Sequence, residues 1–381
     1  MATKNLGQYF TTSEIIQKFV FDVVEHRGKK LLEPSFGAGH LLRLFKENDE
    51  NYPMTCCELD NTIVPVVEFN NSQNVVYGDF FDQIFAEKFR TIVANPPYVK
   101  RLRKRNLYLD FIEKCYELLT DDGEMVFVVP SDFIKLTSAK NIIRKMTETG
   151  CFTHFLFPNN EKLFDGASID ILVFRYRCGV RDDFCVVNGV TKKCIIRDGI
   201  LTFGEMCDNC CGTIGELFDV CVGFVSGRDE VFRCDYGNVT LLMNEDREEK
   251  FILCETFPTM DERMNERLLS NKDELLKRKI RNFSEKNWYE WGALRNINKI
   301  RDKENEICIY VKTLTRHEKV AFAGKVRYFG GGLLCLIPKR EIDDFLMNDI
   351  VKFLNGENFR KNYTYSGRFK IGQRQLVNVS V

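Results

Sequence analysis

Thr91-Ile92-Val93-Ala94-Asn95-Pro96-Pro97-Tyr98 closes a β-branched, apolar run with an amide, two prolines and an aromatic ring. Proline has no N–H to give to a ladder, so the strand stops there and its polar residues stand at the carboxyl edge. Functional groups at that edge point to an α/β sheet of parallel strands, which presents ligand sites at strand carboxyl ends. The flanking sequence agrees. Lys30–Glu33, Met54–Glu58, Asn74–Tyr77, Glu124–Val129 and Ile169–Phe174 also read as strands, with helical stretches between them. One such helix, Tyr108–Leu119, keeps Phe111, Ile112, Cys115, Leu118 and Leu119 on one stripe. Another starts at Thr12-Ser13-Glu14 and lines up Ile15, Ile16, Phe19, Val20, Val23 and Val24. The alternation predicts a mostly parallel sheet covered on both faces.

Past about residue 205 the rhythm is lost. Val220–Val225, Cys308–Val311 and Leu333–Ile337 read as short strands beside a charged helical segment, Asp261–Arg281. A chain of 381 residues is long for one core. Two domains are expected, 1–206 in α/β form and 207–381 in α+β form.

Hydrophobic residues make up 44% and charged residues 29%, values of a globular chain, so no disordered tract is expected. There is no run of about 18 apolar residues to suggest a membrane span. The start, Met1–Gly7, lacks an apolar signal core, which predicts an intracellular protein, cytoplasmic in a prokaryote or virus-encoded in a host cell. Fifteen cysteines then read as reduced thiols. Cys207, Cys210 and Cys211 cluster without the second ligand pair that zinc needs, so no metal is expected. Net charge is zero but uneven: residues 201–260 hold 4 Lys and Arg against 12 Asp and Glu, and residues 261–381 hold 25 against 16. A basic last third suits contact with a polyanion.

Four strand ends carry the chemistry. Glu33-Pro34-Ser35-Phe36-Gly37-Ala38-Gly39-His40 follows the first strand, and its glycines allow close backbone approach to a ligand. Glu58 closes the next strand, 25 residues after Glu33, about the interval at which a carboxylate meets a ribose in nucleoside-binding sheets. Gly78-Asp79-Phe80 follows the third, where Asp79 can accept from an adenine amino group and Phe80 can pack on the ring. The fourth ends in Asn95-Pro96-Pro97-Tyr98, suited to gripping a planar amino group against an aromatic face.

In this order, after Leu6-Gly7-Gln8-Tyr9-Phe10-Thr11, the motifs resemble the gamma group of DNA adenine-N6 methyltransferases, which use S-adenosylmethionine (AdoMet). The resemblance extends over nearly the whole chain. It implies a Rossmann-like AdoMet-dependent catalytic domain followed by a target recognition domain, opening near Ile214–Phe218 and Val222–Arg228 and ending with Phe353-Leu354-Asn355 and Gly367–Val381. It implies cofactor contacts from Thr11, Glu33, Ser35, Gly37, Glu58, Asp79, Phe80 and Asn95, and catalysis by Asn95, Pro96, Pro97 and Tyr98. Phe164 inherits the role of second base-stacking ring, with Phe155 or Phe157 as alternatives.

An adenine N6 is conjugated with its ring and is a poor nucleophile. The Asn95 side-chain carbonyl and the Pro96 backbone carbonyl can accept its two hydrogens, aiming a lone pair at the methyl group with no metal and no covalent intermediate. The base must first leave the duplex, at a cost of a few kcal/mol. Stacking returns roughly 1–3 kcal/mol per base, so Tyr98 and Phe164 on opposite faces offset a cost that one ring hardly balances. Lys100, Arg101, Arg103, Lys104 and Arg105 follow Tyr98 directly and read as phosphate contacts to double-stranded DNA. Lys277–Arg281 beside Trp288 and Trp291, and Lys312–Arg316, are further candidates. The expected product is N6-methyladenine in a short palindrome, made by a monomer, with any cognate restriction endonuclease acting separately. With motifs running from residue 6 to the terminus, no nuclease domain is expected. A protein-glutamine or RNA-base N-methyltransferase, or a DNA-specificity subunit without activity, are the competing readings.

Overall fold

Residues 11–99, 106–158, 170–204, 212–365 and 367–381 are described by the computed structural model. The chain divides into two units, Met1–Met206 with Tyr365–Gly367, and Cys207–Thr364 with Arg368–Val381.

In the first unit the strands are β1 (Leu31–Glu33), β2 (Met54–Glu58), β3 (Gln73–Tyr77), β4 (Phe89–Ala94) and β5 (Leu119–Pro130). They are followed by β6 (Gly150–Leu156), β7 (Ile171–Cys178), β8 (Phe184–Val187), β9 (Val190–Arg197) and β10 (Ile200–Gly204). All ten join one sheet in the order β10-β9-β8-β6-β7-β5-β4-β1-β2-β3. From β3 to β5 every neighbour is parallel. Strand order reverses between β1 and β4, and such a switch opens a crevice beyond the carboxyl ends.

Both faces are covered, which is why the central strands are apolar throughout instead of alternating. Leu32, Cys57, Ile92 and Ala94 face one core with Phe111, Ile112 and Cys115 of helix α3. Leu31, Cys56 and Val93 face another, with Ile16 and Val20 of α1 and Phe45 of α2. These helices span Glu14–Val23 (α1), Arg43–Asn48 (α2) and Leu107–Glu117 (α3). Buried Glu124 of β5 ties layers together, accepting from Arg175 Nε at 2.9 Å and from the backbone N–H of Glu25 and His26 just past α1.

The sheet extends further than the sequence reading foresaw. β7 is antiparallel to β5 and β6 and runs to Cys178, and residues 184–204 add a three-stranded meander. Its hairpins turn at Asn188-Gly189 and Asp198-Gly199, all four with positive φ between 48° and 81°. Asn-Gly and Asp-Gly between strands are strong hairpin signals, and that was the overlooked cue.

The second unit holds a four-stranded antiparallel sheet in the order Phe218–Val222, Leu333–Pro338, Ile307–Lys312, Ala321–Lys325. One core of this unit includes Phe232, Trp288 and Trp291, and another includes Met347, Ile350 and Leu354 of the helix Asp344–Asn355. The expected helix Asp261–Arg281 is two, Glu262–Ser270 and Lys272–Leu276, and it stops before the basic cluster. Arg278 is buried and donates to the carbonyls of Leu275 and Ser226, 2.8 and 2.6 Å away. Burial, then Arg281 and Arg228 nearby, brings its guanidinium down to about 10. Arg278, Trp288 and Trp291 are therefore core residues and not phosphate contacts; Lys277 and Lys279 are exposed.

Candidate active site

The carboxyl ends of β1, β2, β3 and β4 open on a cavity of about 270 Å³. It is lined by Thr11, Glu33, Ser35, Gly37, Glu58, Asp79, Phe80 and Asn95 among others. Eight residues read from separate motifs therefore share one cavity wall.

Glu33 ends β1 with 1% exposure and accepts from the Ser35 N–H at 3.1 Å. Burial first, with the Glu58 charge beside it, pushes its carboxyl well above the usual carboxylate range. The chain then turns through Gly37 (φ 55°) and Gly39 (φ 81°), a left-handed course that favours glycine. Glu58 holds that turn: its Oε2 accepts from Gly37 N–H at 2.8 Å, and its Oε1 accepts from Asp60 N–H at 2.9 Å. The Ser35 hydroxyl is buried and has no hydrogen-bond partner among the described residues, so it is a polar atom still to be satisfied at this wall. Asp79, two residues past β3, accepts from the Phe81 N–H at 2.9 Å and so caps the short turn Phe80–Asp82. Phe80 is 3% exposed and lies face to face with Phe111, ring centroids 5.3 Å apart.

Asn95 directly follows β4 and is held at both ends of its amide. Its Nδ2 donates to Thr11 Oγ1 at 2.8 Å, and Tyr98 donates its hydroxyl to Oδ1 at 2.7 Å. Thr11 is itself fixed from α1, where buried Gln17 donates to its carbonyl at 2.8 Å. Pro97 lines the cavity beside Asn95; Pro96 is buried, and half-buried Tyr98 packs edge-on to Tyr108 at 6.3 Å.

Several expected residues fall elsewhere. Phe155 is fully buried and Phe157 is 5% exposed, both packed on Phe203, so neither offers a face to a base. Phe164, the cations Lys100, Arg101, Arg103, Lys104 and Arg105, the segment Leu6–Phe10, and Cys207, Cys210 and Cys211 lie outside the described residues. Val99 and Leu107 do flank the basic segment, and the Leu107 N–H donates to the Val99 carbonyl at 2.9 Å. The sequence reading missed Phe36, His40, Leu41, Leu59, Phe81, Leu107 and Phe111 as cavity walls. Phe36 and His40 lie inside the quoted loop Glu33–His40 and Leu59 directly follows a strand-end acid, which were the available signals; Leu41, Phe81, Leu107 and Phe111 look like ordinary core. Among the described residues, no group of three His, Cys, Asp or Glu is placed to hold a metal. No helix among them is long and apolar enough to cross a membrane.

Residues 41–164 match the family of the Eco57I restriction-modification methylase. The Type II methyltransferase M.HincII of Haemophilus influenzae is 25% identical over 224 residues, covering 53% of this chain and 43% of its own length. The modification methylase CviBIII of Paramecium bursaria Chlorella virus NC1A is 32% identical over 165 residues, covering 38% of this chain and 42% of its own. A tRNA1(Val) (adenine(37)-N6)-methyltransferase of Actinobacillus pleuropneumoniae is 27% identical over 149 residues, 34% of this chain and 61% of its own. The chain spans less than half the length of the first two. Over residues 41–164 the chain thus carries the Eco57I restriction-modification methylase pattern, and its relatives include Type II methyltransferases.

Proposed function

We propose that the chain is a site-specific DNA adenine-N6 methyltransferase that takes its methyl group from AdoMet. The observation that carries the reading is the Asn95 amide, oriented at both ends by Thr11 and Tyr98 at the carboxyl edge of β4, on the wall of a cavity lined with acids.

The cavity suits the cofactor. Glu33, Glu58 and Asp79 offer acceptors to an ammonium, a ribose diol and an adenine amino group, the buried Ser35 hydroxyl awaits a partner, and Phe80 and Leu59 supply apolar wall. Bound there, AdoMet would supply an electrophilic methyl on its sulfonium. The rest is done by the chain. Asn95 Oδ1, an amide acceptor that Tyr98 holds in place, can take one hydrogen of an incoming amino group. With the Pro96 carbonyl as second acceptor, both N6 hydrogens are drawn into one fixed geometry and the nitrogen lone pair is directed away from the ring. The gain is orientation and electrostatics prepared in advance.

The extruded base is held against the Tyr98 ring, with Phe164 as the opposing face. Lys100, Arg101, Arg103, Lys104 and Arg105 contact phosphates, and residues 207–381 read the target sequence. The protein acts on double-stranded DNA as a monomer, and any restriction endonuclease partner is a separate chain.

The test is incorporation of labelled methyl from AdoMet into duplex DNA, a tRNA pool and protein in parallel, followed by digestion of each product. N6-methyladenine in DNA supports the proposal. Label confined to tRNA or to glutamine side chains refutes it.

A further inference from the structure

Lys114 has no place in the motifs that identified the site, yet it reaches the cavity's adenine side from α3. Its ammonium donates to three backbone carbonyls of one turn: Phe80 at 2.7 Å, Gln83 at 2.9 Å and Phe81 at 3.0 Å. It also stands 4.6 Å from the centre of the Phe80 ring. Three residues earlier on the same helix, Phe111 stacks on Phe80 and meets Phe81 edge-on at 4.9 Å. The turn Phe80–Asp82 is a single 3-10 turn, closed by only two backbone bonds, Asp82 N–H to the Asp79 carbonyl at 3.1 Å and Gln83 N–H to the Phe80 carbonyl at 3.2 Å. Lys114 joins the Gln83 N–H at the Phe80 carbonyl and adds a donor to those of Phe81 and Gln83, and its half-buried charge sits against carbonyl dipoles instead of a carboxylate.

We infer that Lys114 is a positioning residue for the nucleoside of the cofactor, fixing the Asp79–Gln83 turn so that Asp79 and Phe80 are preset to receive an adenine. This rests on the reading of the cavity as an AdoMet site. The lysine touches neither cofactor nor substrate and acts through the turn alone. Without it the turn keeps its Asp79 cap and its packing on Phe111 but loses three cross-links to α3, so the ligand must supply part of the ordering, and ordering costs of that kind are subtracted from affinity. The loss therefore falls on binding and not on the transfer step, because Asn95 is held independently by Thr11 and Tyr98.

Lys114→Met and Lys114→Arg in the full chain test this. The Met variant is expected to weaken both AdoMet and S-adenosylhomocysteine binding tenfold or more in calorimetry, with kcat at saturating AdoMet within threefold of wild type. Amide exchange at Phe81–Gln83 should accelerate, and the Arg variant should recover most of the affinity. Should the Met variant not fold, Lys114→Gln supplies the same readings. Wild-type affinity in the Met or Gln variant overturns the inference, as does a parallel fall in affinity, kcat and Tm, which would mark a merely structural lysine. If the wild type itself binds no AdoMet, the underlying reading fails and this inference with it; failure in the variants alone leaves that reading standing.

Discussion

Replacing Glu33 by glutamine separates what this side chain costs the fold from what it gives the ligand. Its carboxyl is almost wholly buried, accepts one hydrogen bond, from Ser35 N–H, and feels the Glu58 charge. The folded state therefore binds its proton more tightly than the unfolded chain does. With more protons bound in the folded state, stability falls as pH rises from the unfolded carboxylate value near 4.5 toward the raised folded one. Glutamine is neutral throughout and keeps an acceptor for Ser35. Imperfectly compensated burial of a polar group costs roughly 1–3 kcal/mol. In a unit of this size that corresponds to about 2–12 °C in Tm. Ligand-free Glu33→Gln should then melt about that much higher than wild type at pH 8, with the gap closing near pH 4.5, as read by differential scanning calorimetry in matched low-salt buffers. AdoMet affinity should move the other way, falling at least tenfold for want of the carboxylate's charge. A wild-type Tm that does not decline from pH 5 to 8 relative to the variant would refute the burial argument, and unchanged affinity would remove Glu33 from the cofactor site.

Tyr98→Phe keeps the ring and loses only the donor to Asn95, so kcat should fall about tenfold with AdoMet affinity intact, whereas Tyr98→Ala should lose far more activity, since stacking is worth roughly 1–3 kcal/mol per base; equal loss of cofactor binding would put Tyr98 in the wrong role. Glu124→Gln leaves the fully buried Arg175 with half-exposed Glu25 as its ionic partner and should destabilise the first unit by up to about 3–5 kcal/mol in urea unfolding. Gly223→Ala would set a Cβ 2.0 Å from the Gly330 carbonyl oxygen, so limited proteolysis should open the second unit while AdoMet binding by the first persists. Cleavage identical to wild type would show that the two backbone segments can part cheaply.

The strand-end residues of the cavity were legible in the sequence because each central apolar strand ends in, or is closely followed by, an acidic or amide side chain. Glu33, Glu58, Asp79 and Asn95 were readable one by one, and a parallel sheet with a switch between β1 and β4 is what brings them to one edge. Contributions from helices were not legible. Phe111 looks like any stripe residue of α3 and Lys114 like its solvated side, and only the packing of α3 on the turn after β3 gives them a role. Strands β8–β10 were missed because Val190–Arg197 is half-buried along most of its length and shows no period-two alternation. The basic run at Lys277–Arg281 misled for the opposite reason: its formal charge suggests phosphate, yet Arg278 lies over Phe283 with its donors spent on carbonyls.

The central claim is best tested by long-read modification sequencing of DNA from cells expressing the protein, beside an Asn95→Ala control. If the chain methylates DNA adenine, N6-methyladenine appears at one adenine of a single recurring short sequence, on both strands, and not above background in the control. Absence of that mark from wild-type DNA, or its persistence in the Asn95→Ala control, would contradict that claim.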